Sequence, residues 1–425
     1  MKNTNQTIIA VMGIVFLMTA HAGLAQDWPQ WRGVNRDAKT TEFTVPKAWP
    51  KELALKWKVT VGQADATPAL VADKLYVFSR QGDDEVTRCL DAKDGKELWS
   101  DKYAAQGATG AASGHAGPRS SPAVAEGKVV TLGVRGTLSC LDAAKGKVLW
   151  RKDDFPGAWP KFFTASSPMI ENGLCLAQLG GPGNGGVVAY DLVTGDQKWK
   201  WVGDAPAYAS PVLMTADGTK LIVAETEKSI VALKVADGKL VWETPFAAPG
   251  MSYNAATPIV DGQTLIYCGQ SRGAKAVKFE KQGEGFSAKE LWSNPDNSVQ
   301  FGTPVLKSGL LVGLSQGGDF FCLNAQDGKT AWTAPSTPTA AGAKPPAGGR
   351  GGRGRGGYGS VVDAGPVLLA LTPASELIAF QPSDKVYTEL ARIKVADTPT
   401  YGYPIVAGNR IIVQDQNSVT LWTIE

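Results

Sequence analysis

Short apolar strands recur along the chain, and each is followed by the same punctuation: a polar residue, then Gly four positions on, then Trp four positions further. The clear copies are Asp91/Gly95/Trp99, Asp142/Gly146/Trp150, Asp191/Gly195/Trp199, Lys234/Gly238/Trp242 and Asn324/Gly328/Trp332. A degenerate copy with a longer turn runs from Lys278 to Trp292. Asp or Asn at the turn bonds its own backbone, Gly takes a conformation that a Cβ resists, and a second strand then carries Trp into the space between units. A second landmark precedes each copy, a small or polar residue followed by Pro: Thr67-Pro68, Ser121-Pro122, Ser167-Pro168, Ser210-Pro211, Thr257-Pro258 and Thr303-Pro304. Gly365-Pro366 and Tyr403-Pro404 read as weaker copies. Proline at the start of a strand removes no ladder bond, so a strand opens there.

The repeating unit is therefore a four-stranded antiparallel meander of blade size. Eight landmarks predict an all-β, eight-bladed β-propeller. The tail from Tyr401 supplies only three strands, while Leu55-Lys56-Trp57-Lys58-Val59 reads as an orphan fourth strand. Pairing the two ends in one blade would close the ring and remove exposed sheet edges.

Composition adds compartment and chemistry to this frame. Lys2 followed by the apolar run Ile8 to Thr19 and small residues through Ala25 has the layout of a secretory signal peptide, residues 1–25. Residues 26–50 form a lead segment, and 51–425 the propeller. No cysteine precedes Cys89, so no lipid anchor is expected, and no later run suits membrane insertion. The expected location is periplasmic or extracellular, and the expected state monomeric. A formal net charge of +3 does not suggest nucleic acid as a partner. Three of the five cysteines, Cys89, Cys140 and Cys322, share one repeat position, which predicts small buried thiols and not bridges. After signal removal His115 is the one remaining histidine, which excludes histidine metal clusters and leaves a single residue as a lone acid or base.

The repeats resemble the pyrroloquinoline-quinone (PQQ) type propeller repeats of quinoprotein alcohol dehydrogenases and of the propeller lipoprotein of the outer-membrane barrel-assembly machine. The opening Asp27-Trp28-Pro29-Gln30-Trp31-Arg32-Gly33 is similar to the start of many exported PQQ-like propeller proteins. The quinoprotein resemblance implies PQQ beneath a disulfide of adjacent cysteines, calcium held by a carboxylate and an Asn, and an Asp base. This chain has no adjacent Cys pair and no Asp-rich calcium loop, and no motif surrounds Asp319 or Asn254 that would carry such a role over. The sequence thus favours a non-catalytic binding or scaffolding protein of the cell envelope, whose partner is an envelope protein, a polar small molecule or a polysaccharide. The alternatives are a PQQ-dependent dehydrogenase and an enzyme acting on an extracellular polymer.

The repeat also predicts where a ligand would sit. Residues three positions before each landmark proline should ring one mouth of the central channel: Asp65, Arg119, Ala165, Tyr208, Ala255, Phe301, Asp363 and Tyr401. Loops between second and third strands open on the same face and add Arg135, Asn184, Glu225, Lys228, Arg272 and Asp319, with Asn254 nearby. Aromatics mixed with carboxylates and arginines make a shaped, polar binding surface. Trp28, Trp31 and Trp159 lie outside the repeat; Gln30-Trp31-Arg32 is a candidate plug for one channel end. The Gly/Arg-rich stretch 345–357 reads as a flexible, basic loop between blades, suited to an anionic surface and not to RNA in an exported protein.

Overall fold

In the computed structural model the described residues are 27–250, 252–337 and 358–425; the expected signal peptide, 1–25, and the Gly/Arg-rich stretch 345–357 lie outside them. Eight four-stranded antiparallel sheets follow one another along the chain, giving an eight-bladed propeller. Blade one is typical, with strands Ala69–Val71, Lys74–Gln81, Asp84–Asp91 and Glu97–Ala104 from the axis outwards. Its second strand is buried on both faces from Leu75 to Ser79, because neighbouring blades cover each side. The outer strand alternates between exposed and half-buried. Among the described residues no helix is long and apolar enough to cross a membrane.

The last blade is built from both ends of the chain. Ala54–Thr60 pairs antiparallel with Ser418–Thr423, with Trp57 opposite Leu421. The orphan strand read from sequence is therefore the latch.

The recurring Gly and Trp do not serve each other within one repeat; they tie each blade to the next. A Cβ on Gly238 of blade four would lie 2.5 Å from the Trp199 ring of blade three, and one on Gly328 of blade six 2.5 Å from Trp292 of blade five. The same indoles donate Nε1–H across the blade boundary, Trp150 to the Leu192 carbonyl at 3.1 Å and Trp199 to Val235 at 2.9 Å. Each Trp also needs space beneath it, and a small residue pairs with it across the ladder: Cys89 with Trp99, Cys140 with Trp150, Ala189 with Trp199, Cys322 with Trp332. All five cysteines are buried and unbridged. In blade five, whose longer hairpin carries its glycines, Gly283 and Gly285, away from the preceding blade's indole, Phe279 meets Trp242 at 4.7 Å instead.

Blade seven departs from the reading of its landmark. Its inner strand is Ser360–Asp363, so Gly365-Pro366 lies in the turn that follows and not before the strand. Asp363 consequently points away from the mouth, where it is buried and paired with Lys307 at 3.0 Å. Tyr358, two residues before Ser360, occupies the ring position in its place.

Candidate functional site

A belt of hydroxyls girdles the axis where the inner strands begin. The Tyr403 amide donates to Thr67 Oγ1 at 2.7 Å, Thr67 to Ser121 Oγ at 3.1 Å, and Ser121 to Ser167 Oγ at 3.0 Å. Ser167 continues to Ser210 at 2.9 Å, Ser210 to Thr257 at 3.0 Å, and Thr257 to Thr303 at 2.9 Å. These positions are the Ser and Thr of the landmark dipeptides. Each hydroxyl satisfies an inner-strand N–H that has no ladder partner on the axial side.

On one side of this belt the channel is filled. Trp28 bridges to Leu70 and is fully buried. Arg32 donates to the Pro304 carbonyl at 2.8 Å, and Arg36 to Pro211 at 2.9 Å, to Ser167 at 3.3 Å and to Pro168. Burial among carbonyls pushes the Arg36 guanidinium down to about 9, so it remains charged at neutral pH. The lead segment is thus the plug, and what was expected as a channel mouth is a blind cup of about 270 Å³.

The cup floor is Trp31 against Tyr403, edge to face at 5.8 Å. Its wall is a chain of touching rings: Tyr208 to Tyr253 at 5.4 Å, Tyr253 to Phe301 at 5.6 Å, Phe301 stacked on Tyr358 at 3.9 Å, and Tyr358 to Tyr401 at 5.0 Å. His115 extends the chain, 4.9 Å from Tyr401, with Nδ1 2.5 Å from Asp65 Oδ2. It is delivered by a short helical turn, Gly110–His115. Arg119 donates to the Phe162 carbonyl, and its buried Nε has no partner among the described residues. Burial raises the Tyr208, Tyr253 and Tyr358 phenols above their usual 10 and lowers Arg119 below its usual 12.5. At neutral pH the cup therefore offers neutral O–H groups around one cation.

Of the residues singled out from sequence, Asp65, Arg119, Tyr208, Phe301 and Tyr401 line the cup together. Ala165 and Ala255 line it too, whereas Asp363, the loop residues and Asn254 stand elsewhere. Arg135 lies over Trp159 at 4.7 Å and donates to the Gln106 carbonyl at 2.9 Å. Arg272 stacks on Phe246 at 3.8 Å and donates to Asn254 Oδ1 at 2.6 Å, while buried Asn254 donates to Thr226 and Phe246 carbonyls. Lys228 and Asp319 are exposed on hairpin turns. Sequence reasoning missed Tyr358, although the triplets Phe301-Gly302-Thr303, Tyr358-Gly359-Ser360 and Tyr401-Gly402-Tyr403 align it. Tyr253 and Phe162 sit in non-repeating lead-ins and left no periodic signal.

The donor set does not fit the calcium-bound quinone that the quinoprotein resemblance implied. Among the described residues the cup holds one carboxylate, Asp65, which already faces His115, and no Asn or Gln. Among the described residues no three His, Cys, Asp or Glu gather as a metal site. A hard dication needs six or more oxygen ligands, several of them charged.

A family model described as outer membrane protein assembly factor BamB matches residues 82–334. A BamB from Burkholderia pseudomallei is 26% identical over 258 residues, 57% of this chain and 59% of that protein. A quinohemoprotein alcohol dehydrogenase from Comamonas testosteroni is 27% identical over 192 residues, 43% of this chain and 26% of that enzyme. The chain thus matches less than two thirds of either relative. Among solved structures, BamB from Moraxella catarrhalis superposes with a TM-score of 0.61 at 16% identity, covering 88% of this chain and 100% of that one. The Comamonas testosteroni dehydrogenase gives 0.64 at 15% identity, covering 95% and 81%. At such identities the structural likeness is one of fold. The sequence match across more than half of its length makes this chain a member of the family described as outer membrane protein assembly factor BamB.

Proposed function

We propose that the protein is an exported, non-catalytic binding scaffold of the cell envelope that seats a polar group of its partner in the aromatic cup. The observation carrying this reading is the belt of rings from Tyr208 to Tyr401 around a blind, half-open hollow. Ring surface turned toward solvent contributes nothing to blade packing, and a contiguous patch of it is characteristic of a binding site. Arg119 and the Asp65–His115 pair supply the few converging polar groups that fix orientation. The printed role of the BamB relatives, outer membrane protein assembly, supports an envelope setting.

Site-directed photo-cross-linking in cells tests the reading. A photoreactive phenylalanine analogue at Phe301, inside the cup, should give a discrete adduct. The same analogue at Leu291, 45% exposed on an outer strand, should not give that adduct. Arg119→Ala combined with Tyr208→Ala should abolish it. An adduct of undiminished yield in that double variant would remove the cup from the binding surface.

A further inference from the structure

The chemistry of the cup narrows its ligand, on the premise just argued that the cup is a binding site. Its volume of about 270 Å³ lies just below the usual range for ligand pockets, roughly 300–1,000 Å³, and suits one ring-sized unit. The walls present aromatic faces and edges, which match a ring with apolar C–H faces. The polar atoms are tyrosine hydroxyls, protonated at neutral pH, and the Asp65 carboxylate, which match hydroxyl groups around such a ring. The cup's arginine, Arg119, carries a planar fork suited to a carboxylate, with a buried Nε–H that no described residue satisfies. A cationic ligand would meet that guanidinium unpaired.

A second, polar hollow of about 90 Å³ shares Asp65 and His115 with the cup and continues to Gln63, Gln416 and Asn417. A ligand filling the cup therefore has a hydrophilic exit for its next unit. We propose that the cup binds one uronate residue of an acidic polysaccharide, with Arg119 on its carboxylate, the tyrosine belt around its ring, and the adjoining hollow taking the neighbouring sugar.

Calorimetric titration of the full chain tests this with three probes: a galacturonate trisaccharide, a neutral glucose trisaccharide and benzoate. The galacturonate oligomer should bind, and the neutral one roughly 10- to 100-fold more weakly, the loss of a charge-assisted hydrogen-bond pair. Arg119→Lys should weaken the uronate by a similar factor and bring its affinity toward that of the neutral sugar. Equal affinity for the two sugars would overturn the carboxylate assignment, and benzoate binding above both would overturn the sugar. If neither sugar binds while the Phe301 adduct persists, this inference fails and the binding-site reading stands; loss of both refutes both.

Discussion

Replacing Gly238 with alanine tests the inter-blade tie directly, and the molecule contains its own control. Gly238 and Gly218 lie in the same blade and both have φ of +72°. A Cβ at Gly218 meets nothing within 4 Å, whereas one at Gly238 would stand 2.5 Å from Trp199 Cε3 and 2.8 Å from Cδ2. Both substitutions incur the left-handed backbone term, about 1–2 kcal/mol, partly offset by a stiffer unfolded chain. Only Gly238→Ala must also move an indole that is buried and bonded to the Val235 carbonyl at 2.9 Å. Displacing it adds overpacking of about 1–3 kcal/mol and weakens a hydrogen bond that contributes about 1 kcal/mol. Gly218→Ala should therefore destabilise by about 1 kcal/mol, and Gly238→Ala by about 3–5 kcal/mol. Urea unfolding followed by far-ultraviolet circular dichroism would separate them. In a Trp199→Ala background the cost of Gly238→Ala should fall to that of Gly218→Ala, because the two residues interact directly. Equal midpoints for the two single alanine variants would refute the tie and reduce the glycine to a turn residue.

Two further outcomes follow from the axis and the core. Thr67→Val keeps shape but leaves the Tyr403 amide without its acceptor, so it should cost about 1–3 kcal/mol in the same unfolding assay. Glu225 is fully buried, both carboxylate oxygens lack a partner among the described residues, and burial pushes its carboxyl well above 4.5. The folded state then holds a proton that the unfolded state releases above pH 4.5, so wild-type stability declines as pH rises from there toward the folded value. Glu225→Gln should match wild type below that point and gain on it by about 1.4 kcal/mol per pH unit above it; parallel pH–stability curves would contradict the burial argument.

Much of the fold could be read from periodicity, because every blade solves the same packing problem with the same residues. The Asp, Gly and Trp spacing gave the hairpin, the landmark prolines gave strand starts, and Trp57 gave the latch. What periodicity hides is which copy each repeat residue touches. Gly238 and Trp242 are close in sequence, yet Gly238 meets Trp199 of the preceding blade. The Gly365-Pro366 landmark misled because proline also suits a hairpin turn, and it drew attention to Asp363 instead of Tyr358. The site was legible where it uses the repeat, at Asp65, Arg119, Tyr208, Phe301 and Tyr401. It was illegible at Tyr253, Phe162 and the Arg36 plug, which come from unique lead-in segments. Arg272 and Asn254 carried polar side chains toward the right face but spent them on each other and on backbone carbonyls.

Hydroxyl-radical footprinting tests the central claim, that this propeller works through the cup, most directly. Oxidation rates of Trp31, Tyr253, Phe301, Tyr358 and Tyr401 would be compared between the purified protein and the protein in intact cells, with outer-strand Tyr103 and Trp242 as references. The account predicts selective protection of the cup rings in cells and unchanged rates at the references. Cup rings oxidised at the same rate in both settings would contradict it.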